Sequence, residues 1–360
     1  MRVAIVHYWL VNMRGGEKVL QALCELFPNA DIYTHVHDPR ATGTSFEHHE
    51  IRTTFIQKLP GAKRFYQNYL PLMPVALDRL DLSGYDLVIS SESGPAKGVT
   101  TAPETLHVCY CHTPMRYVWD MYHEYRSNAP WYKQLFIPPV MYYMRRRDLA
   151  SADKVDYFIA NSRFVADRIK KYYQRDAAVI HPPVAVDDFC VSTQQEDYYL
   201  LVGQLVSYKR ADLAVEAFNR SGKKLVVIGE GEQLGMLQRK ALPNIVILCR
   251  QPFDVIRHHY SRCRALIFPG VEDFGMVPVE AMASGRPVIA FGQGGALETV
   301  QEGVTGRFFS EQTVDSLNEA VASFEADACY DSDIIVEHAR KFDKRMFKDQ
   351  FMACIGMLSS

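Results

Sequence analysis

Short apolar runs recur along the chain, and most are followed by a segment whose apolar residues have helical spacing. They lie at residues 3–7, 85–90, 106–110, 156–160, 199–202 and 265–269. Runs of this length suit strands that are buried on both faces of a parallel sheet. Because glycines or polar residues follow several of them and helical patterns come next, the chain should form doubly wound sheets. We therefore predict an α/β protein made of Rossmann-like domains.

A polar stretch near the middle of the chain separates two such series of strands and helices. It runs from about residue 187 to residue 197, and the 360 residues exceed what one hydrophobic core usually holds. We predict an N-terminal domain at 1–190 and a C-terminal domain at 191–340. Residues 341–360 have a helical pattern of their own.

The composition narrows the class of protein. Hydrophobic residues make up 48% and charged residues 23% of the chain, as in globular proteins, and a net charge of −2 argues against a nucleic-acid partner bound through overall charge. The eight cysteines lack zinc or thioredoxin spacing, so we interpret them as apolar residues of a reduced compartment. The N-terminus enters a strand directly, and no apolar run approaches the roughly 18 residues of a membrane span. We expect a cytoplasmic protein that is at most attached to a membrane.

The stretch FPGVEDFGMVPVEAMASG, at 268–285, predicts a strand end, a glycine turn and a helix that begins near Met276 or Pro278. A helix N-terminus behind a glycine turn presents backbone N–H groups to an anion such as a phosphate. The residues expected to line this anion site are Phe274, Gly275, Met276 and Val277. Glu272 and Glu280 bracket the turn, and carboxylates can accept paired hydrogen bonds from the hydroxyls of a hexose or a ribose. Alternatively, Glu280 is an ordinary first-turn acid that the helix dipole favours.

Two further loops carry candidate groups for a diphosphate. Gly15 and Gly16 lie between the first strand and the first helix, although not in a G-x-G-x-x-G dinucleotide motif. Gly203 ends a predicted strand, and Lys209 and Arg210 precede the next helix, where a cation would neutralise a leaving diphosphate. The other interpretation is a solvated basic pair on a surface loop.

His112 follows the predicted strand at 106–110, and the carboxyl ends of parallel strands are where open α/β sheets bind ligands. An uncharged imidazole there could donate a hydrogen bond to a sugar hydroxyl, or it could be structural. Arg116 comes one helical turn later and suits either a ligand contact or a structural salt bridge.

Two segments of the first half interleave cations with aromatic and aliphatic residues. The first, 55–80, contains Lys63 and Arg64, and the second, 131–148, ends on Arg145, Arg146 and Arg147. This mixture suits an anionic membrane surface or the pyrophosphate of a lipid-linked acceptor. The alternative is a pair of core-facing helices whose basic side is solvated.

Several strings resemble one enzyme family. EDFGMVPVEAMASGRPVIAF, at 272–291, and YCHTPMRYVWD, at 110–120, resemble the retaining glycosyltransferases of family 4, which have the GT-B fold, and within them the bacterial polysaccharide and O-antigen mannosyltransferases. NSRFVADRI and HPPV extend the resemblance. It implies two Rossmann-like domains facing a central cleft, with a terminal helix that packs back on the first domain.

The resemblance also implies a reaction: transfer of mannose from GDP-mannose, with retention, onto a lipid-linked saccharide in polysaccharide or lipopolysaccharide assembly. It implies a nucleotide-sugar donor without a metal or other cofactor, and a location in the cytoplasm or on the cytoplasmic face of the inner membrane. By resemblance, Lys209 with Arg210 stabilises the diphosphate, Glu272 orients the sugar hydroxyls and Glu280 binds the ribose. His112 contacts the sugar, and Arg250 and Gln251 lie near the nucleobase.

The chain departs from the family pattern at two positions. Gln204 stands where the family typically has an arginine that neutralises the diphosphate, and Cys249 stands where a glycine commonly precedes Arg250. Other functions therefore stay open: transfer from a UDP-sugar, a phosphorylase or epimerase using the same cleft, or a non-catalytic nucleotide-binding scaffold.

Overall fold

A computed structural model describes residues 1–120, 122, 131–135, 137–326 and 330–358 of the chain. It divides into two compact units, of which unit 1 is Met1–His181 together with Lys348–Ser360, and unit 2 is Pro182–Phe347. The sequence placed the division at 190/191. Each unit is built around a parallel sheet, so the predicted α/β fold class is confirmed.

Unit 1 contains a sheet whose seven described strands are all parallel, in the order β3-β2-β1-β4-β5-β6-β7. The order reverses between β1 and β4, and this is where open α/β sheets bind ligands at the carboxyl ends of their strands. The strands are β1 (Val3–His7), β2 (Asp31–Thr34), β3 (Ile51–Thr53), β4 (Leu87–Glu92), β5 (Leu106–Cys111), β6 (Tyr157–Ala160) and β7 (Ala177–Val179).

Helices cover both faces of this sheet. In the described residues they are α1 (Gly15–Leu26), α2 (Pro39–Thr42), α3 (Ala62–Phe65), α4 (Met73–Leu77), α5 (Arg116–Trp119), α6 (Trp131–Gln134), α7 (Ile137–Ala152) and α8 (Arg163–Tyr173). A 3-10 segment, Tyr66–Leu72, joins α3 to α4. Ser162 caps α8, because its side chain accepts a hydrogen bond from the backbone N–H of Val165.

Unit 2 repeats this architecture with six described parallel strands, in the order β10-β9-β8-β11-β12-β13. Its reversal lies between β8 and β11. The strands are β8 (Tyr199–Val202), β9 (Leu225–Ile228), β10 (Ile245–Leu248), β11 (Leu266–Phe268), β12 (Val288–Phe291) and β13 (Gly306–Phe309).

The described helices after β8 complete the chain. They are α9 (Ala211–Ser221), α10 (Leu234–Lys240), α11 (Phe253–Arg262), α12 (Met276–Ala283), α13 (Ala296–Thr299), α14 (Val314–Ala326), α15 (Ser332–Ala339) and α16 (Lys344–Leu358). From residue 348 onward α16 belongs to unit 1, where the buried Phe351 ring lies 6.4 Å from the ring of Phe27. No helix within the described residues is long and apolar enough to cross a bilayer.

Candidate functional site

The strongest candidate site in unit 2 lies where β8 and β11 end side by side. The loop after β8 carries Lys209, and the loop after β11 carries Glu272. The Nζ atom of Lys209 lies 2.7 Å from Oε1 of Glu272, and both side chains stay about one-fifth exposed. The two residues that the sequence assigned to opposite ends of one ligand therefore form an ion pair with each other.

The helix α12 begins beside this pair. It follows Gly275, whose φ of +88° belongs to the left-handed region that favours glycine. The first N–H groups of a helix have no partner within it, and here they belong to Met276 and Val277, because Pro278 has no N–H. The end of the loop therefore offers backbone donors to an anion, as the sequence predicts.

Glu280 lies in the second turn of α12, so the interpretation as a first-turn acid does not apply. Its Oε2 accepts a hydrogen bond from the hydroxyl of Tyr260 at 3.0 Å, and both side chains are buried. Burial, together with the nearby carboxylate of Glu280, raises the pKa of Tyr260 well above its usual value. Tyr260 thus stays a donor and fixes the orientation of Glu280; nothing in the sequence marks this tyrosine as a partner.

Arg210, the only cation near enough in sequence to compensate for Gln204, is already engaged. It has a φ of +54° where α9 begins, and its guanidinium lies 3.3 Å from Asp212 and 3.4 Å from the amide oxygen of Gln312. Gln312 in turn donates to the backbone oxygen of Pro269 at 2.7 Å. Arg210 therefore ties the loops after β8, β11 and β13 together.

The other residues predicted to bind the donor differ in their distance from Lys209 and in their exposure. Gly203 follows β8 directly, beside Lys209. The ring of Phe274 is buried and packs against Phe342, so only its backbone is available to a ligand. Arg250 and Gln251 follow β10, which lies two strands from β8, or about 10 Å; Arg250 is 80% exposed and lies 3.9 Å from Glu230.

In unit 1, His112 follows β5 and is partly exposed. Its Nε2 lies 2.8 Å from the hydroxyl of Ser91 on β4, and the same hydroxyl lies 3.1 Å from Nδ1 of His7 on β1. Burial, with a smaller electrostatic contribution from the neighbouring His7, lowers the pKa of His112 to about 3. A pKa in this range leaves the imidazole of His112 uncharged at physiological pH.

The glycine pair of unit 1 opens α1. A side chain at Gly16 would place its Cβ 2.2 Å from the hydroxyl of Tyr8, so any larger residue would require the buried Tyr8 side chain to shift. Glu17 is buried rather than solvated, and its Oε2 accepts the backbone N–H of Arg14 at 2.9 Å. Close packing against Tyr8 is thus a reason for glycine at position 16 that involves no phosphate. The first N–H groups of α1 still have no hydrogen-bond partner within the helix.

The basic residues of unit 1 differ in their availability. Arg145 donates to the backbone oxygen of Val118 at 2.9 Å, and Arg147 pairs with Asp78. Arg146 is exposed. Arg116 begins α5 and is half-buried, Lys63 lies 3.3 Å from Asp38, and Arg64 lies over the ring of Phe65.

Unit 1 also contains a buried ionic cluster that the sequence analysis did not identify. Lys97, 1% exposed, lies between the carboxylates of Glu92, at 2.5 Å, and Asp148. Asp148 also accepts hydrogen bonds from the indole of Trp119 at 2.7 Å and the hydroxyl of Tyr173 at 2.9 Å. A cavity of about 50 Å³ borders Lys97 and Asp148. The sequence holds no signal for it, because Glu92 and Lys97 read as ordinary loop residues.

Within the described residues, no group of three or more His, Cys, Asp or Glu side chains is arranged to hold a metal ion. The described positive groups nearest Glu272 are Lys209 and the N-terminus of α12.

Two family models match the chain. The model of glycosyltransferase family 4 matches residues 13–188, and the model of glycosyl transferases group 1 matches residues 189–348. Curated relatives include the O-antigen chain mannosyltransferase RfbU of Salmonella typhimurium, 28% identical over 171 residues, which cover 44% of this chain and 48% of the relative. A GDP-mannose-dependent phosphatidylinositol monomannoside mannosyltransferase of Mycolicibacterium smegmatis is 28% identical over 52% of this chain and 57% of its own length. The chain spans about half the length of the curated relatives it matches.

Solved structures extend the likeness over the whole chain. HepE of Anabaena in complex with UDP and glucose matches 99% of both chains with a TM-score of 0.75 and 16% identity. Sucrose-phosphate synthase of Thermosynechococcus elongatus matches 99% of both chains with a TM-score of 0.73 and 16% identity. Identities this low show the shared fold alone.

Proposed function

Since this chain belongs to the glycosyltransferases, as a family 4 domain followed by a group 1 domain, we propose that it transfers a hexose from a nucleoside diphosphate sugar to a saccharide acceptor. The observation that carries the proposal is the ion pair of Lys209 and Glu272 at the strand-order reversal of unit 2. A cation and a carboxylate meet there, beside the N-terminus of a helix. Those are the groups that a diphosphate and vicinal sugar hydroxyls require.

Donor binding exchanges the partners within this pair. The diphosphate takes the ammonium group of Lys209 and the first N–H groups of α12, which releases Glu272 to accept hydrogen bonds from the sugar. As the glycosidic bond breaks, Lys209 and α12 stabilise the charge that builds on the leaving diphosphate. Because these groups supply positive charge, the reaction we propose needs no metal. We also propose that the transfer retains the configuration of the anomeric carbon.

We take the donor to be GDP-mannose. The support is that two relatives of the same family are mannosyltransferases by name, one of them GDP-mannose-dependent. A UDP-sugar is the second candidate, because a structure with the same fold over its whole length holds UDP and glucose. Glu280 would bind the ribose in either case, held by Tyr260.

The acceptor we propose is a lipid-linked saccharide, reached by peripheral contact of unit 1 with an anionic membrane surface. Within the two basic–aromatic segments of unit 1, 55–80 and 131–148, five large apolar side chains are each more than two-fifths exposed: Phe65, Leu72, Trp131, Leu135 and Tyr142. These segments lie close together, because Leu70 of the first and Val140 and Met141 of α7 all pack against one apolar cluster, formed by Met115, Val118 and Met144. Arg64 and Arg146 add positive charge to the same segments. Aromatic, aliphatic and cationic side chains together favour the headgroup region.

Thermal unfolding of the purified protein with GDP, UDP, ADP and their sugar conjugates tests the donor. A ligand that binds only the folded state at a hundred times its dissociation constant stabilises it by about 2.7 kcal/mol. We expect a selective upward shift with GDP and GDP-mannose. In Glu272→Gln the shift with GDP should persist, while the shift with GDP-mannose should be smaller than in the wild type. A shift with UDP alone would replace mannose by a UDP-sugar. No shift with any nucleotide would favour a scaffold that has lost donor binding through Gln204.

A further inference from the structure

Four polar side chains of unit 1 form a row at the carboxyl edge of its sheet. Oε1 of Glu17 lies 4.0 Å from Nε2 of His7, Nδ1 of His7 lies 3.1 Å from the hydroxyl of Ser91, and that hydroxyl lies 2.8 Å from Nε2 of His112. His7 and Ser91 are fully buried, whereas His112 is partly exposed. The row therefore runs from a buried carboxylate to an imidazole that a ligand can reach.

The chemistry of this row allows two directions of hydrogen bonding. A serine hydroxyl has one hydrogen, so Ser91 donates to one imidazole and accepts from the other. The distance of 4.0 Å between Glu17 and His7 is too long for a hydrogen bond, and Nε2 of His7 has no hydrogen-bond partner among the described residues. The negative charge of Glu17 nevertheless favours the tautomer of His7 whose N–H is directed at it. Nδ1 of His7 then has a lone pair and accepts from Ser91.

We propose that Glu17, His7 and Ser91 hold His112 in the tautomer that carries its hydrogen on Nε2, so that Nδ1 accepts a hydrogen bond from a hydroxyl of the bound sugar or acceptor. Ser91 and His7 are thus positioning residues, which act through His112. The part that names a sugar hydroxyl rests on the proposed transferase function; the tautomer does not. This reverses the sequence-based expectation that His112 donates to the sugar.

Strands β4 and β5 contain a second His–Ser pair, which serves as a reference because its histidine should have the opposite tautomer. Nδ1 of His107 on β5 lies 2.9 Å from the backbone oxygen of Lys154, and its Nε2 lies 3.0 Å from the hydroxyl of Ser90 on β4. A carbonyl oxygen only accepts, so Nδ1 of His107 carries the hydrogen and Nε2 accepts from Ser90. Two neighbouring His–Ser pairs should therefore have opposite tautomers.

Nitrogen-15 NMR of the full-length protein at neutral pH tests the proposal without a substrate. Imidazole nitrogens with and without hydrogen have well-separated shifts, and His112→Gln, His7→Gln and His107→Gln assign the signals. We expect Nε2–H for His112 and His7 and Nδ1–H for His107. Nδ1–H on His112, or a doubly protonated His7, would overturn the proposal, because Ser91 would then donate to His112.

Two variants test the coupling along the row. Glu17→Gln keeps an oxygen that can accept the N–H of Arg14 but removes the charge, and we expect a second population of His112 with hydrogen on Nδ1. Ser91→Ala should also mix the tautomers of His112, while Ser90→Ala should leave them unchanged. Unchanged His112 signals in both Glu17→Gln and Ser91→Ala would refute the relay.

Transfer assays separate this proposal from the function itself. We expect Ser91→Ala to lower kcat about tenfold with unchanged affinity for the nucleoside diphosphate, and Ser91→Thr, which keeps a hydroxyl, to restore most of the rate. Ser90→Ala should keep the wild-type rate. If the tautomers are as predicted but Ser91→Ala turns over normally, the contact of His112 with a substrate hydroxyl is wrong. If no nucleotide sugar is turned over at all, the proposed function fails while the tautomer result still stands.

Discussion

Lys209 and Glu272 neutralise each other across the two loops that end β8 and β11, with 2.7 Å between Nζ and Oε1. Each side chain is about one-fifth exposed, so the pair is ordered by its neighbours but still in contact with solvent. The pair therefore keeps both groups in place while the donor site is empty. A donor that brings both a diphosphate and sugar hydroxyls replaces both halves of the pair at once.

The first prediction concerns this pair. Lys209→Met should lower kcat by about 10²–10³-fold, because it removes a group that stabilises the charge of the leaving diphosphate. Glu272→Gln should lower turnover to a similar extent while leaving the affinity for the free nucleoside diphosphate intact or higher, since Lys209 is then released. Steady-state kinetics and calorimetric titration measure the two effects.

Both variants should keep their thermal unfolding midpoint within a few degrees of the wild type, since partly exposed ion pairs contribute about 0–1 kcal/mol. Arg239→Met, a change at an exposed residue of α10, is the matched control for the loss of a positive charge in unit 2. Near-normal turnover in either site variant would remove the site assignment.

A second prediction concerns the position where the family typically has arginine. The guanidinium of Arg210 is held by Asp212 and Gln312. The loop after β8 therefore offers a diphosphate one cation, Lys209, and no second one that is available. Gln204→Arg should therefore tighten the binding of a nucleoside diphosphate by about tenfold or more, because a hydrogen bond to a charged group contributes about 1.5–3 kcal/mol. Isothermal titration of both proteins measures it; equal or weaker affinity would mean that Gln204 lies outside the diphosphate site.

Local patterns predicted much of the fold. The strands at 3–7 and 199–202 were predicted to the residue, because each is a short buried run bounded by polar or glycine residues. The start of α12 was predicted near Met276 or Pro278, and it lies at the first of these, directly after a glycine with positive φ. In contrast, β4 was predicted at 85–90 but lies at Leu87–Glu92. It reaches Glu92 because pairing with β5 and burial beside Lys97 keep this charged residue in the sheet.

The candidate site was only partly predictable, because its decisive contacts join residues that are distant in sequence. The hydrogen bond between His7 and Ser91 spans 84 residues and follows from the register of β1 with β4. Tyr260 and Glu280 meet only after α11 and α12 pack on the sheet. Motifs identified Lys209, Glu272 and His112, whereas the residues that orient Glu280 and His112 required the structure.

A third prediction concerns the buried cluster around Lys97. Lys97→Met would leave Glu92 and Asp148 without their counter-charge, and breaking a buried pair from one side costs about 3–5 kcal/mol. The three tryptophans, Trp9, Trp119 and Trp131, all lie in unit 1. Urea unfolding followed by tryptophan fluorescence therefore reports on the unit that contains the cluster.

Lys170→Met is the matched control, because Lys170 pairs with Asp176 at the exposed end of α8 in the same unit. It should change the unfolding free energy by less than about 0.5 kcal/mol. A loss below about 1 kcal/mol in Lys97→Met would show that the two carboxylates find other partners or take up protons.

A fourth prediction concerns acidification. Burial lowers the pKa of His35 to about 4 and the pKa of His107 to about 4, although each donates to a backbone carbonyl. Between pH 6.5 and pH 4 the unfolded chain binds protons at these imidazoles that the folded unit does not. The unfolding free energy therefore falls with decreasing pH, by up to about 1.4 kcal/mol per pH unit for each imidazole.

Tryptophan-monitored urea unfolding at pH 7, 6 and 5 measures this slope. His35→Gln should have a shallower dependence on pH than the wild type, by about 1 kcal/mol per unit. His48→Gln, at an exposed histidine, should keep the wild-type slope. Equal slopes in all three proteins would mean that His35 takes up its proton as readily in the folded unit as in the unfolded chain.

The last prediction concerns the membrane-facing surface proposed for unit 1. Arg145 and Arg147 are held by Val118 and Asp78, so a charge reversal at either would disturb the fold. Arg146 is the exposed member of the three. Arg146→Glu changes the charge by two, and each charge near an anionic surface contributes about 1 kcal/mol. The affinity for phosphatidylserine vesicles, measured by sedimentation, should therefore decrease by about 2 kcal/mol, or roughly 30-fold. Arg239→Glu, the same change on α10 of unit 2, should sediment like the wild type, and binding of all proteins should decrease with salt. Undiminished sedimentation of Arg146→Glu would exclude α7 from the membrane contact. An equal loss of vesicle binding in Arg239→Glu would mean that binding depends on the net charge of the protein and not on the position of Arg146.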